Sequence, residues 1–121
     1  MPRRTSFLPH ERLDAYRVAI ELIAGLRSVH ETGLPPHIRD QLQRASLSIA
    51  LNIAEGTGRV GKDRLKFYRI ARGSACETGA LLDAIEVSGV ELDDSFEHLH
   101  NLCARLYAML TRLAELQIKA A

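Results

Sequence analysis

Between Ala45 and Ala54 the chain runs ten residues without a charge, the longest such run in its 121, and this stretch limits the fold most. Ile38, Leu42, Ala45, Ile49, Asn52 and Gly56 recur at alternating spacings of four and three. That spacing marks one face of a helix. Leu47, Leu51 and Ala54 fall on the opposite side. A helix that is apolar nearly all round is buried on more than one side. A chain this short offers few neighbours, so part of the cover is expected from a second subunit. The small residues Ala45, Ser46, Ser48, Ala50 and Ala54 let another backbone come close. Asn52 then lies in a packed seam and must find partners for its amide, most simply on a neighbouring backbone.

Three further helices flank this one. The first is expected over 13–31, with Tyr16, Ala19, Ile20, Ile23 and Leu26 inward, and Gly33-Leu34-Pro35-Pro36 stops it. The central helix spans 36–55, and Gly56-Thr57-Gly58-Arg59-Val60-Gly61 turns the chain. The third covers 62–88, with Tyr68, Ala71, Ala75, Thr78, Leu82 and Ile85 as its inner stripe. Gly73, Ser74 and Ala75 on it favour close approach to the central helix. Asp94-Ser95-Phe96-Glu97 reads as a capping box that opens the fourth helix, over 95–119. Phe96, Leu99, Cys103, Leu106, Leu110 and Leu113 form its main stripe, and Leu102, Met109 and Leu116 run beside it. Four helices with short connections predict an all-α, antiparallel up-down-up-down four-helix bundle over 13–120, preceded by a loose arm over 1–12. The seams left over, Leu47, Leu51 and Ala54 on one helix and Leu102, Met109 and Leu116 on another, are the expected oligomer interface.

Several function classes lack support. Arg3-Arg4 is not followed by the uncharged apolar region of an export signal, and no run reaches a membrane span, so a cytoplasmic protein without a membrane partner is expected. Cys76 and Cys103 make neither a disulfide framework nor a zinc site, and read as two buried or half-buried thiols. His98 and His100 are two apart on a helix and point in different directions, so no metal is expected. The serines lack His–Asp company and the cysteines lack a base, which leaves no catalytic residue and no cofactor to assign. Glu55 stands at a helix C-terminus, where the dipole disfavours an acid. It should be clamped by Arg44, Arg59 or a backbone N–H of the glycine turn, a structural role like that of Asn52.

Charge is the remaining signal, and the net value of +1 hides its distribution. Arg59, Lys62, Arg64, Lys66, Arg69 and Arg72 crowd one segment against Asp63 alone. Glu77, Asp83, Glu86, Glu91, Asp93, Asp94 and Glu97 follow with no Lys or Arg among them. Lys62, Lys66 and Arg69 share a face, with Arg72 beside it. Such a face serves either an anionic partner, RNA or DNA backbone included, or a salt bridge to the acidic segment of a neighbouring subunit. Phe67 and Tyr68 are the only aromatics close by in sequence, so contact would be with backbone rather than with particular bases.

The run Gln41-Leu42-Gln43-Arg44-Ala45, Ser48-Ile49, Asn52-Ile53-Ala54-Glu55-Gly56 and Gly58-Arg59, with the later Phe67-Tyr68-Arg69-Ile70-Ala71-Arg72-Gly73-Ser74 and Glu77, resembles a known family. It is the four-helix bundle family often encoded in intervening sequences of bacterial large-subunit ribosomal RNA. That family commonly has proline where Ala50 stands, an aromatic in place of Thr57 and a Ser or Thr cap in place of Gly61. The resemblance implies an up-down bundle without known catalytic activity. It also implies kinship to the accessory variability determinants of diversity-generating retroelements, pentameric barrels whose basic surface engages reverse transcriptase and nucleic acid. By resemblance, Arg59, Lys62, Lys66, Arg69 and Arg72 are the positions for such a surface. The expectation is a non-enzymatic homo-oligomeric scaffold, a five-fold ring, that binds nucleic-acid backbone or a partner protein such as a reverse transcriptase.

Overall fold

The structure is a computed structural model and describes residues 4–120; the first residues of the expected arm lie outside them. Four α-helices follow a short 3-10 turn at Pro9–Arg12: α1 (Asp14–His30), α2 (Pro36–Thr57), α3 (Gly61–Val87) and α4 (Ser95–Ala120). Among the described residues there is no strand. Each helix packs on its two neighbours around a square, α1 on α2, α2 on α3, α3 on α4 and α4 back on α1, and the diagonal pairs stay apart. This is the expected up-down-up-down bundle. Gly33 and Gly89 make the first and last reversals at φ +79° and +88°, a region that costs a residue with a Cβ about 1–2 kcal/mol.

The predicted inner stripe of α3 is buried in full, from Tyr68 to Ile85. On α4 the stripe Phe96, Leu99, Cys103, Leu106 and Leu110 is buried, and Ala114 closes it where Leu113 is only half-covered. Leu42, Ile49 and Ile53 of α2 meet them at 0% exposure. Fully burying a Leu or Ile side chain stabilises by roughly 1.5–3 kcal/mol.

α1 is rotated from its expected phase. Ala15, Val18, Ala19, Leu22, Leu26 and Val29 face the core, while Ile20 stays 43% exposed and Tyr16 and Ile23 half-covered. Both stripes are apolar at helical spacing, so periodicity fixes the helix and leaves its rotation open. The choice falls to α4, against which Gly25 packs so closely that a Cβ there would lie 2.5 Å from Leu99 Cδ2. The arm also has structure over residues 4–12. The 3-10 turn packs on α2 and α1, Arg4 pairs with Glu11 at 3.1 Å, and the His10 and Tyr16 rings meet edge-on.

α2 and α3 approach closely where small residues meet. A Cβ on Gly56 would stand 3.0 Å from Phe67 Cβ and the Tyr68 ring. Ser48 and Ser74 hydroxyls touch at 2.8 Å across the seam, whereas Gly73, expected to share it, faces open space. Thr57 bonds the Tyr68 hydroxyl at 2.9 Å. The start of α3 has no side-chain cap. At α4, Asp93 rather than the expected Asp94 takes the Ser95 N–H at 2.9 Å and also accepts the Ser95 hydroxyl. Those two bonds favour the carboxylate and hold Asp93 below the usual aspartate range.

Candidate nucleic-acid interface

The first half of α3 and the turn before it sort their cations into four kinds. Arg64 turns inward: its guanidinium donates to the carbonyls of Gly56 (3.2 Å), Thr57 (3.1 Å) and Arg59 (2.8 Å). Gly56 and Thr57 carry the last carbonyls of α2 and Arg59 lies in the turn beyond it, so Arg64 caps α2 and ties down the turn that follows. Arg59 is shared, 3.3 Å from Glu55 and 3.9 Å from Asp63, with its guanidinium 5.3 Å from the Phe67 ring centre. Lys62, Lys66 and Arg69 are exposed and, among the described residues, lie within 4.0 Å of no carboxylate. Arg72 is half-buried and leaves α3 toward α4, where Nη1 donates to Thr111 Oγ1 at 3.3 Å and the guanidinium lies 5.6 Å from the Tyr107 ring centre.

The acidic residues occupy the other end of the same rod. Glu86, Asp93, Asp94 and Glu97 rim an open cleft of about 480 Å³ beside Val90, Leu92 and Phe96. Twenty residues of helix separate Lys66 from Glu86, about 30 Å, so the two ends cannot neutralise each other within one chain. Asp83 is 3.0 Å from His100 and Glu21 3.4 Å from His98, so the two histidines sit on separate partners. Among the described residues no three His, Cys, Asp or Glu side chains gather as metal ligands.

Asn52 and Glu55 each meet a group one helical turn away along the chain. Asn52 is half-buried and donates to Ser48 O at 2.8 Å and Ser48 Oγ at 3.0 Å. The thread continues through Ser74 to Thr78, whose hydroxyl donates to Ser74 O at 2.8 Å. Glu55 takes Arg59, an exposed pair that contributes about 0–1 kcal/mol.

The expected oligomer-interface residues divide. Leu47, Leu51 and Leu116 are 49%, 59% and 48% exposed, and Ala54 and Met109 half-covered. Leu102 is corrected: at 1% exposure it belongs to the protomer's own core, because α1 covers that edge of α4, and it offers nothing to a second chain. Ile20 joins the exposed apolar surface instead. It lines an open groove of about 680 Å³ between α1 and α2 with Ile23, Ala24, Arg27 and Leu47. His30 borders the groove, and burial, then the Arg39 charge, lowers its pKa below the ordinary histidine value.

Cys103 is buried as expected, and Cys76 is exposed rather than half-buried. Burial first, then the charges of Asp83 and Cys76, push the Cys103 thiol up to about 12. Sequence proximity also misjudged the aromatics. Tyr68 is 3% exposed, and Tyr107, 35 residues from Arg72, is brought beside it at 47% exposure. The signal for that pairing lies in the antiparallel register of α3 and α4, which sets Asp83 against His100 and Arg72 against Thr111.

Residues 11–112 match the 23S rRNA-intervening sequence protein family. A search among curated proteins finds no match. Among solved structures the chain is similar to a protein with unknown function from the S23 ribosomal protein family of Bacteroides thetaiotaomicron. The two superpose with a TM-score of 0.75 at 16% identity, covering 89% of this chain and 99% of that one. At that identity the likeness speaks for the fold.

Proposed function

The chain belongs to the 23S rRNA-intervening sequence protein family, and on that premise we propose that it is a non-enzymatic helical scaffold. In this reading copies assemble into a ring of five, and Lys62, Lys66 and Arg69, flanked by Arg59 and Arg72, hold a nucleic-acid backbone. The observation that carries it is the division of the cations. Arg64 is spent on a helix end, while the three that share the outer face of α3 have no acid to satisfy among the described residues. A cationic rim repeated around a ring neutralises several phosphates at once and gains affinity that one patch lacks. A partner protein with an acidic face, such as a reverse transcriptase, would be held by the same residues.

The polarity of α3 favours a second reading, in which the basic end of one copy meets the acidic end of the next and nucleic acid plays no part. Charge reversal of Lys62, Lys66 and Arg69 to Glu separates the two. On the first reading the oligomer survives, RNA binding weakens strongly, and the slope of log affinity against log salt falls by about 2–3, close to one per lost phosphate contact. Fluorescence anisotropy of a labelled RNA across a salt series, beside light scattering, reads both. Dissociation of the oligomer with no RNA bound by the wild type would establish the second reading instead.

A further inference from the structure

Along α3, Arg72, Cys76 and Ala80 follow at spacings of four, so they form one stripe beside α4, with Arg69 one turn before Arg72 on the outer face. Its first half is cationic. Its second half walls a shallow slot of about 270 Å³ between α3 and α4, floored by Ala75, Gly79 and Ala104. Small side chains make that floor flat, and a Cβ on Gly79 would stand 3.7 Å from Cys103 Cβ. Tyr107 closes the slot at the end nearest the cations, with Asp83 and His100 at the other.

Arg72 and Tyr107 are held ready. The Arg72 guanidinium lies against the Tyr107 ring and donates to Thr111 Oγ1, and that hydroxyl donates to Tyr107 O at 2.8 Å. Tyr107 is 47% exposed as a residue, with the Arg72 guanidinium 5.6 Å from its ring centre. A half-exposed ring beside a row of guanidinium and ammonium groups is how proteins hold single strands: the cations track the backbone and an unpaired base stacks on the ring. A duplex hides its base faces and cannot use the slot.

We propose that the α3–α4 slot receives an unpaired base of a single-stranded nucleic acid, stacked on Tyr107, while Arg69 and Arg72 hold its phosphates. This rests on the reading of the basic face given above and adds what that face selects. The test uses the full chain and three labelled probes: a short RNA of mixed sequence, the DNA of the same sequence, and the RNA duplex. The single strands should bind more tightly than the duplex. Tyr107→Ala should weaken single-strand binding by about tenfold, in line with alanine substitution of a stacking aromatic, and Tyr107→Phe should restore it. Neither should move duplex affinity or the salt slope, because no phosphate contact is lost. Circular dichroism of each variant reports that the bundle is intact. Equal affinity for duplex and single strand, or a Tyr107→Ala variant that binds like wild type, would overturn the slot and leave the basic face standing. No binding of any probe by the wild type would overturn both.

Discussion

The two thiols show how position in one groove sets opposite chemistry. Only a thiolate attacks an alkylating reagent, so reactivity follows exposure and pKa together. Cys76 is exposed on α3, whereas Cys103 is buried with its thiol pushed up from 9.0 to about 12. At pH 8.5 iodoacetamide should therefore modify the folded protein once, at Cys76. Cys103 should react only when denaturant opens the bundle, and a Cys76→Ser variant should stay unmodified on the same timescale. Intact-mass spectrometry counts the adducts, and two adducts arriving together on native protein would refute the assignment. The helical phase already set Cys103 on a seam and Cys76 off it; how far Cys76 stands from cover depends on α4, which sequence spacing does not locate. Arg59 was one of three partners the sequence offered Glu55, whereas Asn52 bonds Ser48 of its own helix one turn back rather than a neighbouring backbone. Leu102, misplaced by its stripe, and Tyr107, passed over, owe their surroundings to a different helix.

At the scale of the helix, the six basic residues from Arg59 to Arg72 look alike in sequence and differ in work. Arg64 holds two carbonyls at the end of α2 and a third in the turn beyond it, and Lys62, two residues earlier, holds none. Removing the cap leaves acceptors unsatisfied, and hydrogen bonds to a charged group are worth about 1.5–3 kcal/mol. Arg64→Met should lower unfolding stability by about 1–3 kcal/mol, while Lys62→Met should stay within about 0.5 kcal/mol, as surface substitutions do. Urea denaturation of both variants checks this. Equal stabilities would mean that water serves the α2 end as well as the guanidinium does. Helix limits were readable almost to the residue, because proline and glycine punctuate every connection. The rotation of α1 was not, since Tyr16-Ile20-Ile23 and Val18-Leu22-Leu26 are both apolar stripes and only contact with Leu99 of α4 selects between them.

For the whole molecule, the square arrangement decides what kind of assembly the exposed apolar residues can make. α2 and α4 sit on a diagonal and are not neighbours, so their outer faces look in opposite directions. Leu47 and Leu51 lie on the first, Leu116 and Ile118 on the second, each about half exposed. A two-fold dimer buries one patch against its own copy and leaves the other wet. A head-to-tail contact, α2 of one copy on α4 of the next, covers both, and it closes into a ring when the rotation permits. Leu51→Glu and Leu116→Glu should each give folded monomers of 13.4 kDa by light scattering, at low and at high salt. Mixed together, they should pair. The first variant keeps an intact α4 face and the second an intact α2 face, so one sound interface can form between unlike chains and no more. The mixture should then weigh twice the monomer and grow no further. If Leu116→Glu alone keeps the wild-type mass while Leu51→Glu falls apart, the contact is two-fold through α2 and the ring is excluded. Because both variants carry the same change of charge, only the geometry of the contact can make them differ.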